Sequence, residues 1–293
     1  MRRIFKRLLA IVLLVAAVLI LLAMIVQPRP THPFFAGKPP VLVIAHQGGD
    51  GLWPSNTMLA FTKAVALGVD VLEMDVHSTA DGVFVLSHDD TVDRLTDGSG
   101  AIKEMTFAEL QLLDAGYRWS DDEGETFPYR GQAITVPALE EVLIAFPRMP
   151  LNIEIKQQEP SIVAPFCQLL RRYGREDEVL VASFHPETMK EFRQECPGVA
   201  TSGTEAEIRP FYALNRIFLD AIYAPPADAF QVPEYSGGLH VATARFVAGA
   251  HAHNVQVHVW TVNETDDMQR LLDVGVDGII TDRPDRLLAL LGR

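Results

Sequence analysis

Glu73, Asp75 and His77 alternate with Leu72, Met74 and Val76, so two carboxylates and an imidazole share one face of an extended strand while the other face is apolar. Asp81-Gly82 follows, a strong short hairpin signal; a two-residue loop there pairs Ala80 with Val83 and, counting outward, Asp75 with His88. Carboxylates facing an imidazole across a ladder can hold a cation or pass protons. Taken alone, the same pattern also fits a solvated hairpin.

Other reactive side chains stand at the ends of short apolar runs. His46-Gln47-Gly48-Gly49 closes the run 41–45, which has the character of a buried parallel strand. In 151–156, Asn152, Glu154 and Lys156 alternate with Ile153 and Ile155; Trp260 shares a face with His258 in 255–262, and Asp282 ends the strand 277–281. A helix is expected over 56–67, with Asn56 as N-cap and Gly68 as stop. Further helices are expected over 137–145, 161–173, 186–195, 207–218, 242–253, 265–274 and 285–291. Strands are expected over 179–183, 199–202 and, weakly, 230–232. Counting the Glu73 strand and its hairpin partner as one position gives eight parallel strands, hence an α/β (β/α)8 TIM barrel with its active site at the strands' C-terminal ends. His46, Glu73, Asp75, Glu154, Lys156, Trp260 and Asp282 all fall at such ends.

The region 91–132 fits no barrel element except a short helix over 107–114 and reads as an insertion over the site. Its Tyr117, Trp119, Phe127 and Tyr129 could cradle an acyl chain or form the insertion's own core. His251 and His253 are two apart on a helix and face different ways, so they do not form a metal cluster with His240 and His258.

At 293 residues the chain can bury one large core. Residues 8–26 form an unbroken apolar run behind Arg2, Arg3, Lys6 and Arg7, and no small-residue cleavage site follows it. It therefore reads as a single membrane anchor within 1–27, with its N-terminus cytoplasmic and the body outside. The proline-studded segment 28–40 is expected to be a stiff stalk, and the catalytic domain to occupy 41–293. Beyond the anchor's basic tip the chain has 21 basic against 38 acidic residues, a net charge of −17, which argues against nucleic acid as a partner. Cys167 and Cys196, with no C-x-x-C, leave a single disulfide open.

In its ordered pieces the sequence resembles the glycerophosphodiester phosphodiesterases, whose barrel is shared with phosphatidylinositol-specific phospholipase C. The pieces are AHQGG from Ala45, PSNT from Pro54, EMDVHSTADG from Glu73, SHD from Ser87, DRLTDGSG from Asp93, IEIK from Ile153, SF at Ser183, WTVN from Trp260 and DGIITDRP from Asp277. The resemblance implies a divalent cation held by Glu73, Asp75 and Glu154, with His46 and His88 as acid and base and Lys156 contacting phosphate. Carboxylates suit Mg2+ or Ca2+ better than zinc. One assignment has His46 as base on a glycerol hydroxyl or on water and His88 as acid on the leaving alcohol; the reverse stays open. Gln47 stands where the family usually has arginine, keeping a donor without its charge, and Ser55 stands where it usually has glutamate. Gln47, Asn56, Lys156 and Trp260 are the expected substrate contacts.

The activity implied is hydrolysis of glycerophosphodiesters to an alcohol and sn-glycerol 3-phosphate. The anchored N-terminus resembles the family's lysophospholipase D branch, which acts on lysophospholipids at a membrane. A catalytically weak binding protein is the alternative of another class, prompted by Gln47 and Ser55.

Overall fold

The fold, described for residues 2–293 by a computed structural model, begins with α1 (Arg2–Ile25), which buries none of its residues and half-buries only Leu19 and Ala23. The barrel follows from β1 (Leu42–Ala45), α2 (Met58–Leu67), β2 (Val71–Ser78) and its antiparallel partner β3 (Phe84–Leu86). After these come α3 (Phe107–Leu110), α4 (Leu139–Ala145), β4 (Leu151–Ile155), α5 (Val163–Arg172), β5 (Val179–Ala182), α6 (Pro186–Glu195), β6 (Ala200–Thr201) and α7 (Glu205–Arg216). The circuit ends with β7 (Ala229–Pro233), a small hairpin β8 (Tyr235–Ser236) and β9 (Leu239–His240), α8 (Ala244–Ala252), β10 (Gln256–Trp260), α9 (Thr265–Val274), β11 (Gly278–Thr281) and α10 (Pro284–Leu290). The sheet runs β6-β5-β4-β2-β1-β11-β10-β7, and a parallel bridge from Ser202 to Ala229 joins its two ends. This is the expected eight-stranded barrel. The weakly signalled strand at 230–232 is the middle of β7, all five of whose residues pair with β10.

Strand alternation sorts the side chains. Val43, Leu72, Met74, Ile153 and Val257 pack outward among the helices, while Leu42, Val71, Leu180 and Ala229 fill the inside near the strands' N-terminal ends, with Ile44 and Ile280 packed above them. The barrel interior is thus apolar at its floor, and the inward-facing carboxylates stand toward its mouth. Cys167 on α5 and Cys196 after α6 form a disulfide with Cα atoms 5.9 Å apart.

Three expectations are corrected. The segment 28–40 is not a free stalk: a 3-10 turn, Pro33–Phe35, inserts Phe34 into the floor cluster, where it is buried. The segment is apolar enough at Phe34 and Phe35 to outweigh the extension its prolines favour. The N-cap of α2 is Thr57, which accepts from Ala60 N–H at 3.2 Å, rather than Asn56, which adopts φ 55°; Gly68 ends the helix at φ 98° as expected.

The third correction is the hairpin register. Val76 lies opposite Leu86 and Ser78 opposite Phe84, so Asp75 faces Ser87, not His88. The loop holds three residues rather than two. Thr79 N–H donates to Val83 O, Thr79 Oγ1 bonds the Asp81 carboxylate at 2.6 Å and accepts from Val83 N–H, and Gly82 takes φ 82°. His88 therefore lies past the end of β3, at the mouth.

The insertion builds its own core from Val92, Ile102, Leu110 and Ala115 against Val85 of β3 and Val136, which follows the insertion. Trp119 stacks edge-on to Tyr129 and donates to Asp50 O, while Arg130 lies over both Tyr117 and Phe127. None of these four aromatics lines the cavity at the mouth.

Candidate active site

Parallel pairing of β2 with β4 sets Asp75 level with Glu154 and Glu73 level with Asn152, all on the inward face. One oxygen from each of Glu73, Asp75 and Glu154 lies within 4.8 Å of the others. Burial, and then the neighbouring Asp75, push Glu73 up to about 8; burial also raises Glu154. Such crowding is costly unless positive charge enters. Part of it is Lys156, whose Nζ lies 3.0 Å from Glu154 Oε2 and 3.3 Å from Asp75 Oδ1. Asp75 Oδ1 is buried and accepts no hydrogen bond. Three converging hard oxygen donors, one of them met only by the Lys156 ammonium at 3.3 Å, fit a divalent cation of the Mg2+ or Ca2+ type.

The two histidines reach the same cavity from other elements. His46 follows β1, and its Nδ1 lies 2.6 Å from Asp282 Oδ1 at the end of β11. Asp282 is held below the usual carboxylate range by this bond in spite of burial, so it is ionised and can only accept. Nδ1 therefore carries the proton and Nε2 turns toward the cavity. Burial works against the imidazolium, but Glu73, Asp282 and Asp75 outweigh it and raise His46 to about 9. His88 repeats the arrangement: its Nδ1 lies 2.9 Å from Asp89 Oδ1, and Arg94 grips Asp89 through two bonds and lowers its pKa. Each histidine thus has Nδ1 fixed by a carboxylate, and the second nitrogen of His46 meets the side-chain amide of Gln47 at 3.3 Å.

Both histidines line a cavity of about 800 Å3 together with Glu73, Glu154, Lys156 and Trp260. Asn56 is placed elsewhere. It is buried, donating to Asp75 Oδ2 at 3.0 Å and accepting from Asp75 N–H at 3.2 Å, so it orients a carboxylate. Gln47 is buried too; its N–H donates to Glu73 Oε2 at 2.7 Å, and its amide lies 3.3 Å from His46 Nε2. Sequence reasoning gave no role to Asp282 beyond its place at a strand end, and none to Asn263, whose amide donates to Asp282 Oδ2 at 2.7 Å. The signal was the repeat of one polar residue after each strand.

The sequence profile described as the glycerophosphoryl diester phosphodiesterase family matches residues 46–286. The chain belongs to this family. A glycerophosphodiester phosphodiesterase of Caldanaerobacter subterraneus is 34% identical over 259 residues, covering 85% of this chain and 97% of the relative. A Homo sapiens relative named lysophospholipase D is 27% identical over 278 residues, 83% of this chain and 84% of its own length. Among solved structures, an Oleispira antarctica phosphodiesterase in complex with the product sn-glycerol-3-phosphate superposes with a TM-score of 0.68 at 26% identity, over 85% of this chain and 96% of that one.

Its relatives named glycerophosphodiester phosphodiesterase and the product-bound solved structure make the chain a phosphoric diester hydrolase by family. Where the family usually places arginine, Gln47 occupies a left-handed backbone position, φ 52°, that turns its N–H toward Glu73. The other side of the cavity is an arc of Phe184, Ile208, Tyr212, Leu239, Val241 and Trp260. Phe184 meets Trp260 edge-on with ring centroids 5.7 Å apart.

Proposed function

We propose that the chain hydrolyses glycerophosphodiesters to an alcohol and sn-glycerol 3-phosphate, using His46 and His88 as the proton-transferring pair and Glu73, Asp75 and Glu154 to hold Mg2+ or Ca2+. The observation that carries this reading is the pair of carboxylate-oriented histidines beside three converging carboxylates in one cavity. When bound, the cation supplies positive charge for the phosphoryl oxygens and offsets the negative charge that holds the proton on His46. His46 Nε2 takes the proton of the attacking water or glycerol hydroxyl, and His88 Nε2 gives one to the leaving alkoxide as the phosphorus–oxygen bond breaks; attack by the hydroxyl leaves a cyclic phosphodiester, which a water opens to sn-glycerol 3-phosphate with the two proton transfers reversed. Lys156 lies at the carboxylate edge, within reach of a phosphate, and Gln47 offers an amide beside His46. Trp260 forms a wall for the leaving group, while Asn56 acts through Asp75.

The apolar arc supports a second reading, lysophospholipase D activity, since an acyl-bearing leaving group would find apolar walls there. Membrane anchoring through α1 belongs to the proposal too: the helix is 24 residues long and holds an 18-residue stretch of mean hydropathy 3.4, enough for a span. The deciding experiment assays the full chain against glycerophosphocholine, glycerophosphoethanolamine, glycerophosphoinositol and lysophosphatidylcholine, with Mg2+, Ca2+ or chelator. Turnover that needs a divalent ion and yields sn-glycerol 3-phosphate is expected; no turnover with any ion would end the reading.

A further inference from the structure

We infer that the floor of the barrel faces the bilayer that holds α1, so that the catalytic mouth opens away from its own membrane and takes its substrate from water. This rests on reading α1 as a membrane span. The helix ends at Ile25, with Val26 N–H still bonded to Leu22 O at 3.2 Å. Only residues 26–28, at most about 11 Å of extended chain, separate it from the first tie to the barrel.

That tie is dense. Arg29 donates through its guanidinium to Asp228 Oδ1 at 2.8 and 3.1 Å and to Pro225 O, and its N–H donates to His253 O at 2.9 Å. Asn254 donates to Arg29 O at 2.8 Å and to Thr31 Oγ1 at 3.0 Å, and the His32 ring bonds Gly198 O at 3.0 Å. Asp228 directly precedes β7, Asn254 precedes β10 and Gly198 precedes β6, so every partner lies in a loop that feeds a strand at its N-terminal end. Phe34 then closes the barrel from the same side, packed with Leu42, Val71, Ala200 and Ala229, residues that begin their strands or lie within them at this end.

The catalytic side chains lie at the other end. A five-residue strand such as β10 rises about 17 Å, which separates the floor from Trp260 and the cavity it lines. Turning the mouth toward the membrane would require the Arg29, Asn254 and His32 bonds to break and Phe34 to leave the core. The covalent tether holds the floor there without adhesion, since Glu176, Asp177 and Glu178, just before β5, would be repelled by anionic headgroups. The opposite orientation would instead press the exposed Phe184, Tyr235 and Leu239 of the mouth into lipid.

The test uses the full chain reconstituted in phosphatidylcholine liposomes. The native cysteines are both in the disulfide, so Asp177→Cys at the floor and Leu239→Cys at the mouth each add the only free thiol for a fluorophore. With headgroup-nitroxide lipid as quencher, the Asp177→Cys label should be quenched at least twofold more than the Leu239→Cys label. Equal or stronger quenching at Leu239→Cys overturns the orientation. A chain that fails to float with the liposomes after an alkaline carbonate wash overturns the membrane span instead, and the orientation with it. Unsubstituted chain should hydrolyse glycerophosphocholine equally in liposomes and in detergent, within about twofold; a tenfold loss in liposomes would mean that the bilayer covers the mouth.

Discussion

Asp282→Asn separates an orienting carboxylate from a bystander. The Asn263 amide donates to Asp282 Oδ2, so a substituted asparagine keeps its oxygen toward Asn263 and presents its NH2 to His46. Nδ1 must then accept, the ring proton moves to Nε2, and the nitrogen facing the cavity can no longer act as base. Losing a charged hydrogen bond of this kind removes about 1.5–3 kcal/mol of support for the imidazolium, or one to two pH units at about 1.4 kcal/mol each. His46 should fall from about 9 toward 7 or 8, with Glu73 and Asp75 still holding it above its ordinary value. Loss of general base catalysis predicts a kcat lower by about 100-fold or more with little change in KM. The fold should survive, because Asn263 Oδ1 still accepts from residue 282 N–H and from Thr281 Oγ1. The assay pairs steady-state kinetics on glycerophosphocholine with an NMR titration of the histidine Cε1–H signals in the metal-free chain. A kcat within threefold of wild type, with the His46 titration unmoved, would refute the reasoning.

Four further outcomes are expected. His46→Ala and His88→Ala should each cut turnover by about 100-fold or more; a residual rate within tenfold of wild type in either would remove that histidine from the mechanism. Saturating Mg2+ or Ca2+ should raise Tm, by about 2.7 kcal/mol of stability at 100 times Kd, and Glu73→Gln should abolish the rise in a thermal melt. In the metal-free chain the raised His46 stabilises fully below pH 6.5 and loses that contribution as pH climbs through about 9. The Tm advantage over His46→Gln should shrink across that window, and a constant difference would contradict it. Phe34→Ala should cost about 3–5 kcal/mol in denaturant unfolding, since the ring is buried in the barrel floor; a loss below 1 kcal/mol would show that the segment does not plug the barrel.

The sequence by itself determined the barrel, because eight apolar runs alternating with amphipathic helices have few other ways to bury their surface. It also determined which side chains share a face: strand alternation puts Glu73 with Asp75, and Glu154 with Lys156, on one side of their strands, the side that the barrel turns inward. Tertiary structure decided the rest, wherever a side chain had to choose among partners distant in sequence. Thr79 binds Asp81 and Val83 and lengthens the hairpin by one residue, and in a period-two strand a slip of one moves His88 from beside Asp75 to the mouth. Asn56 gives up a helix cap for Asp75, 19 residues on, and Asp282 finds His46 across 236 residues of chain. The proline-rich segment looked extended because prolines forbid regular structure locally. Only the assembled barrel offers Phe34 a floor to fill and Arg29 an Asp228 to grip, and those contacts turn a linker into part of the fold.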